Sequence, residues 1–398
     1  MKVLVINAGS SSLKYQLFDM EKECPIAKGN CQKIGIPGSY TKHTYGEKSV
    51  KLEKQIDNHD QAIEFVLNLL TSEEYGVIKN LNEIFAVGHR VLHGGEIYKD
   101  SVVVTPEVME KLEELKPLGP LHMPANISGI IACQKVLPSA PQVAVFDTAF
   151  HAQMPKEAFL YAIPYEAYTD WKIRRYGFHG TSHKYVSGEV AKLLGKPLED
   201  CKIITVHLGN GSSIAAVKNG RSIDTSMGFT PLEGLIMGTR SGDVDASVVS
   251  FISEKLNLKG EEISNYFNKK CGVLGISGVS SDMLDINDAV KEGNERAKLV
   301  VPMMAHRIKK YIGGYAAILN GVDAIVFTGG IGENQEDLRE LAMENMEYLG
   351  IEFDKEKNLT MPRGTVEEIS LPSSKVKVYR IPTDEELVIA RDTINLTK

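Results

Sequence analysis

Cysteine is scarce and scattered in this chain of 398 residues: Cys24, Cys31, Cys133, Cys201 and Cys271 are an odd number and form no C-x-x-C pair. That pattern offers neither a disulfide framework nor a zinc site, and a reducing cytoplasm is its simplest home. Long apolar runs are missing too. The N-terminal run at residues 3–6 stops at Asn7, too short for a secretory signal core, and nothing approaches the roughly 18 apolar residues of a membrane span. Positive charge is not in excess, since 45 Lys and Arg stand against 52 Asp and Glu for a net charge of −7. No bulk attraction to nucleic acid or to an anionic membrane follows, although a local basic cleft is still allowed. Neither G-x-x-x-x-G-K-[ST] nor a full G-x-G-x-x-G occurs, so the two commonest nucleotide fingerprints are absent. What is present, 43% hydrophobic and 24% charged residues with only 16 prolines, is the composition of an ordinary soluble globular protein, and it excludes collagenous, coiled-coil and largely disordered chains. The length suits two or three domains with full cores.

Short apolar runs at 3–6, 84–87, 143–146, 203–206 and 324–327 read as buried strands, each ending in a polar or glycine-rich turn. Amphipathic stretches of helical length lie between several of them, at 61–70, 106–115 and 297–319, and another at 335–349 follows the last. That alternation predicts an α/β architecture. One internal echo refines it: INAGSSSLK at 6–14 resembles HLGNGSSIA at 207–215. Each segment runs strand, Gly-Ser turn, second strand, then a polar turn near 18–22 or 218–221, the pattern of a β-hairpin. Two similar domains facing across a cleft are the expectation.

Three turns combine small residues with hydroxyl or amide groups directly after a strand, at 7–12, 209–213 and 329–334. Exposed backbone N–H groups can surround an anion there, and glycine lets the backbone approach closely. Any one alone reads as an ordinary tight turn; three at strand ends favour phosphate binding. In residues 324–334 a buried strand enters glycines and then a helix whose N-terminus suits phosphate.

These loops, with HRVLHGGE at 89–96, FHGTSH at 178–183 and GTRSGD at 238–243, closely resemble the acetate kinase family from Asn7 to the 383–386 region. The resemblance implies the actin–hexokinase–heat-shock-ATPase superfold: two duplicated ribonuclease-H-like domains hinged around a central cleft. The N-terminal domain would comprise 1–148 plus about 385–398, with the first phosphate loop and the acetate side. The C-terminal domain, 149–384, would carry the second phosphate loop and the adenosine site. A homodimer is implied, as is reversible phosphorylation of a short carboxylate by Mg-ATP, linking acetyl phosphate to ATP and ADP, with Mn²⁺ able to substitute. By the same resemblance Ser10, Ser12 and Lys14 meet the nucleotide, together with His207, Leu208, Gly209, Asn210 and Gly211. Gly330, Ile331, Gly332, Glu333 and Asn334 form a third nucleotide loop, and Asp282, Met283 and Leu284 lie on the adenine side. The family usually has arginine where this chain has Leu284, a departure on the adenine side that bears on nucleotide selectivity.

Joining two anions demands positive charge, a metal and alignment more than covalent chemistry. Arg90, read as following a strand, and Arg240, read as lying in a flexible polar loop, match the family's substrate and transition-state arginines; a guanidinium grips carboxylate or phosphate through two parallel bonds. Asp147 closes the 143–146 strand, where α/β sheets place ligands. The family gives it an essential proton-transfer role, yet a short carboxylic acid is already ionised at pH 7, so an orienting or water-and-metal-positioning role is expected. His179 and His183 are four apart, but residues 180–182 read as a helix start and no H-E-x-x-H is present, so zinc is not expected. The resemblance assigns His179 to the transferring phosphoryl group and His122 to the same cleft; His183 reads as a packed or helix-capping histidine. Thr383 and Glu386 have capping-box spacing, which leaves Glu385 freer to act; the resemblance implies that Glu385 is the magnesium-associated glutamate and Asn7 a second metal-associated group, through water. Leu92, Leu121, Phe178 and Pro231 match the acyl pocket, and the bulk of Leu92 favours acetate over longer acids. The rivals are a propionate or butyrate kinase, an actin-like nucleotide-binding module, and a sugar or glycerol kinase.

Overall fold

In Ser12–Asp19 the side chains of Leu13, Tyr15 and Leu17 are buried while Lys14 is exposed and Gln16 half-buried, the period of two expected of a strand with one face against a core. The computed structural model describes all 398 residues. The first sheet contains β1 (Lys2–Ala8), β2 (Ser12–Asp19), β3 (Cys24–Gln32), β4 (Tyr40–Tyr45), β5 (Lys48–Glu53), β6 (Ile84–Val91), β7 (Val102–Val103) and β8 (Gln142–Phe146), in the order β5-β4-β3-β2-β1-β6-β8-β7. The second contains β9 (Lys202–Leu208), β10 (Ser212–Lys218), β11 (Arg221–Thr225), β12 (Ala324–Thr328), β13 (Glu367–Glu368) and β14 (Lys377–Arg380), in the order β11-β10-β9-β12-β14-β13.

The two sheets repeat one arrangement. β1, β2 and β3 form an antiparallel meander, β1 pairs in parallel with β6, and β6 in parallel with β8. β9, β10 and β11 form the same meander, with β9 parallel to β12 and β12 parallel to β14. The duplicated α/β architecture expected from the sequence echo is the one observed, and the echoing segments occupy equivalent hairpins: Ala8 pairs with Leu13 in one, Leu208 with Ser212 in the other.

Contacts divide the chain into Met1–Ala152 with Asp384–Lys398, and Gln153–Thr383. In the first unit the C-terminal helix Glu385–Thr397 returns to pack on β1, β6 and β8, while Met123–Val136 packs on β1, β6 and the His59–Thr71 helix. In the second unit Met304, Ile308, Ile312 and Leu319, at helical spacing along Val300–Leu319, join Ile204, Val206, Ile214 and Ala216 of β9 and β10 in one core. No helix is long and apolar enough to cross a membrane.

Three expected elements differ. The 297–319 stretch begins as a 3₁₀ turn, Ala297–Leu299, and becomes α-helical at Val300. The 335–349 stretch is broken: Glu336–Met343 is a helix, Asn345 turns with φ +58°, and Glu347–Leu349 is a 3₁₀ turn. Amphipathic spacing marks which face is buried but does not hold the chain helical past a left-handed asparagine. The third glycine-rich turn, Gly329–Asn334, is itself a short helix.

Candidate active site

In the first unit Arg90 is the penultimate residue of β6, inside the strand rather than after it, and Asp147 directly follows the neighbouring parallel strand β8. Adjacent parallel strands thus bring the two side chains together. Arg90 Nε donates to Asp147 Oδ1 at 2.9 Å and Nη2 to Oδ2 at 2.6 Å, a bidentate pair in which Asp147 is 1% exposed and Arg90 28%. Asp147 raises the pKa of the guanidinium against the opposing effect of burial, and Glu385 and Glu386 add smaller contributions. Both oxygens of the aspartate are therefore occupied in fixing an arginine.

The first loop closes with Gly9 N–H donating to Ser12 O at 2.8 Å, which leaves Ser10 exposed and Ser12 half-buried. Asn7, Lys14 and Glu386 line one cavity of about 230 Å³, with Gln16, Lys28 and Lys42 also in its wall. Glu385 is not among its lining residues. The expected Thr383/Glu386 capping box does not form: the helix cap is Asp384, whose Oδ1 accepts from Leu387 N at 2.9 Å, and Thr383 Oγ1 bonds Ser182 Oγ at 2.8 Å instead. Thr383 stands one residue too early, and the nearer carboxylate takes the cap. Burial, and then the like charge of Glu385 and Asp384, raises the pKa of Glu386. Leu92 is half-buried against the 119–123 turn, where a Cβ on Gly119 would lie 2.9 Å from Leu92 Cδ2. Leu121 is 58% exposed, and His122, also exposed, begins the Met123–Val136 helix.

In the second unit His179 has φ +57° and precedes the helix Gly180–Leu194, a left-handed conformation uncommon for a non-glycine residue. Its ring stacks on His207 at 4.3 Å, and Nδ1 lies 3.0 Å from Ser213 Oγ. Gly211 shows what faces the ring's other edge: a Cβ there would lie 3.4 Å from His179 Nε2 and 3.4 Å from Arg240 Nη1. The imidazole and the guanidinium thus converge over the backbone of the second Gly-Ser turn. Asn210 reaches the Arg240 loop as well, since a Cβ on Gly238 would lie 2.1 Å from Asn210 Oδ1.

That loop is held, not loose as expected. Met237 N–H donates to Arg240 O at 3.1 Å, Cys271 N–H to Thr239 O at 3.0 Å, and Arg240 Nη1 to Pro231 O at 2.9 Å. Burial lowers the pKa of Arg240. His183 is packed, with no exposed surface, and its two nitrogens meet Thr205 and Ser213. Phe178 is buried and Pro231 half-buried. His207 and Leu208 end β9, and Gly209 N–H donates to Gly211 O at 3.0 Å. In the short helix that carries Gly330, Ile331, Gly332, Glu333 and Asn334, Asn334 Nδ2 donates to Gly330 O, and burial raises the pKa of Glu333. Asp282 caps Met283–Lys291 through Leu284 N, Met283 enters the core, and Leu284 is 70% exposed.

The sequence profile of the acetokinase family matches residues 2–391. The chain belongs to the acetokinase family. It is 57% identical over 398 residues to an acetate kinase of Desulfitobacterium hafniense, covering all of this chain and 99% of that one. It is 57% identical over 393 residues to one of Clostridium novyi, covering 99% and 98%. Among solved structures it resembles the acetate kinase of Porphyromonas gingivalis, with TM-score 0.96 and 52% identity over both full chains. It also resembles a propionate kinase of Francisella tularensis, with TM-score 0.92 and 40% identity over 99% of each.

Two supports of this acetokinase site escaped the sequence reading. Asn126, 6% exposed, donates from Nδ2 to Ala8 O at 2.7 Å and accepts at Oδ1 from Leu92 N at 2.9 Å. It ties the phosphate-loop end of β1 to the chain two residues past Arg90. Its signal was an amide between Ala125 and Ile127, two apolar residues of the helix Met123–Val136, which is costly to bury unless both ends are bonded. Glu233 accepts from Arg175 Nη2 at 2.6 Å and from Tyr161 Oη at 2.5 Å, anchoring the segment between Pro231 and Arg240. No spacing relates those three residues in the sequence.

Proposed function

We propose that this acetokinase phosphorylates acetate with Mg-ATP, reversibly, by direct in-line transfer that yields acetyl phosphate and ADP. The observation that carries the reading is the convergence of His179 Nε2 and Arg240 Nη1 over the glycine backbone of the second Gly-Ser turn. Two side-chain donors above a tight turn fit a phosphoryl group whose equatorial oxygens gather charge in transfer. Arg240 and His179 are assigned to that group, and Arg90 to the carboxylate of acetate. Asp147, with both oxygens engaged by Arg90, orients the arginine; acetate carries no proton to remove at neutral pH. Acetyl phosphate is a mixed anhydride, so transfer back to ADP is chemically accessible.

The nucleotide phosphates are assigned to the two Gly-Ser turns and the Gly330–Asn334 segment, with Asp282, Met283 and Leu284 toward adenine. By their match to the family's motifs, Leu92, Leu121, Phe178 and Pro231 are assigned to the methyl group and His122 to the substrate. The chain's oxygen donors fit Mg²⁺: Asn7 and Glu386 share one cavity wall, Glu385 lies next in sequence, and their crowded carboxylates favour a cation. Bound there with its waters, the ion would neutralise phosphate charge. We place the protein in the cytoplasm as a homodimer. In support of the dimer, helix Ala246–Leu256 buries none of its residues and exposes Val248, Phe251 and Leu256, an apolar face that a second copy would cover.

Hydroxylamine trapping of acyl phosphate from Mg-ATP with acetate, propionate or butyrate tests the reading, with Arg90→Ala as control. Acetate is expected to be used best and the control to retain only a small residual rate. Preference for propionate would favour the second reading, raised by the 40% identity to a propionate kinase. No acyl phosphate from any acid would refute both.

A further inference from the structure

Behind His179 lies an unbroken file of buried hydrogen-bonding groups that the reaction as assigned does not use. Thr205 Oγ1 is 2.6 Å from His183 Nδ1, His183 Nε2 is 2.7 Å from Ser213 Oγ, and Ser213 Oγ is 3.0 Å from His179 Nδ1. Thr205, His183 and Ser213 have no exposed surface. Thr205 and Ser213 stand on paired strands β9 and β10, so the hairpin that makes the second phosphate turn also carries the file.

Each member limits the next. A neutral imidazole donates from one nitrogen and accepts at the other, and a hydroxyl has one proton to give. Two polarities run the length of the file, because the remaining arrangement, in which Ser213 accepts from both rings, leaves the proton of a fully buried hydroxyl with no acceptor. In the outward one, Thr205 donates to His183 Nδ1, His183 Nε2–H donates to Ser213, Ser213 donates to His179 Nδ1, and His179 carries its proton on Nε2. In the inward one every bond reverses and His179 Nε2 is bare. The inward polarity obliges Thr205 to send its proton elsewhere, and the acceptor the structure provides is Ala215 O at 3.5 Å, at the limit of bonding. The outward polarity gives that proton a partner at 2.6 Å.

We propose that Thr205, His183 and Ser213 hold His179 as its Nε2–H tautomer, so that a donor and not a lone pair faces the phosphoryl oxygens beside Arg240. The proposal rests on the reading that His179 contacts the transferred phosphoryl group. Thr205, His183 and Ser213 touch no reacting atom; they are positioning residues. A lone pair at Nε2 would repel phosphate oxygens, so the polarity of the file decides whether the ring helps or hinders transfer.

The test begins with the unmodified full-length protein carrying ¹⁵N-labelled histidine, with the His179 ring assigned by comparison with His179→Asn. Its two-bond nitrogen–proton correlations are expected to show the Nε2–H pattern. Acetyl phosphate synthesis by Ser213→Ala should fall about tenfold in kcat, with KM for acetate changed less than twofold. Thr205→Val keeps both contacts to Ser213 yet removes the source of polarity; it should lower kcat several-fold and give mixed His179 tautomers, while Thr205→Ser stays near wild type. An Nδ1–H pattern in the unmodified protein overturns the proposal, and so does Thr205→Val as active as Thr205→Ser. An Nε2–H pattern with kcat indifferent to both Ser213→Ala and His179→Asn supports the relay and overturns the role of His179 in transfer.

Discussion

Replacing Asp147 with Asn separates orientation from proton chemistry. Asparagine keeps the shape but offers one neutral carbonyl where two charged oxygens now receive Arg90 Nε–H at 2.9 Å and Nη2–H at 2.6 Å. One charge-assisted bond disappears, and its donor faces an NH₂ group. Such bonds contribute about 1.5–3 kcal/mol, and one-sided removal of a fully buried pair costs about 3–5 kcal/mol. Arg90 remains 28% exposed, so water compensates part of the loss, and about 2–3 kcal/mol is the expected destabilisation. Calorimetry should show a Tm about 2–4 °C lower for a chain of this length. A guanidinium free to tilt misplaces acetate, so kcat/KM for acetate should fall about 100-fold. The deciding assay is a double-mutant cycle. If Asp147 acts through Arg90, adding Asp147→Asn to Arg90→Ala should change kcat/KM less than about threefold. A loss as large in that background as in wild type, or an unchanged Tm with kcat abolished, would refute the positioning argument.

Three further outcomes follow from the geometry. His89 in β6 is 2% exposed, its Nε2 is 2.7 Å from Gln142 Oε1, and burial lowers its pKa from 6.5 to about 4. The unfolded chain then binds more protons between those values, so this stabilisation is complete above about pH 6.5 and is lost as pH falls toward 4; urea titrations should show about 2 kcal/mol less from this group at pH 5 than at pH 7, and His89→Gln should remove that slope. Gly211→Ala puts a methyl 3.3 Å from His179 Cε1 and 3.4 Å from Arg240 Nη1; kcat should fall more than about tenfold while Tm moves by less than about 3 °C, and a normal kcat would show that nothing reacts above this turn. Leu92→Ala should raise the propionate-to-acetate ratio of kcat/KM by about tenfold or more if Leu92 bounds the acyl pocket, measured by the same hydroxylamine assay.

The two-fold α/β plan was legible because hairpin formation is local. Strand residues 3–6 and 203–206 are followed within a few residues by their own antiparallel partners, and the Gly-Ser turn between them is written in contiguous sequence. The broken helix at 335–349 was not legible, since apolar spacing continues through Asn345 while the backbone turns left-handed there. Candidate site residues could be named by type and by motif, because guanidinium, imidazole and glycine-turn chemistry belongs to the side chains themselves. Their partners were not. The capping box looked sound on spacing alone and was displaced by Asp384, a competitor one residue nearer the helix.

The sequence by itself determined the kind of protein: strand and helix periods, two equivalent glycine-rich hairpins, and motifs that place the chain with the acetokinases. Only the tertiary structure decided which groups act together. Arg90 meets Asp147 across 57 residues, Asn126 bridges Ala8 and Leu92, and His179 is backed by Ser213, His183 and Thr205. The reason is physical. Periodicity and turn chemistry act over a few residues of backbone, whereas the partner of a buried polar group is set by which strands lie side by side, and that pairing leaves no local mark on the chain.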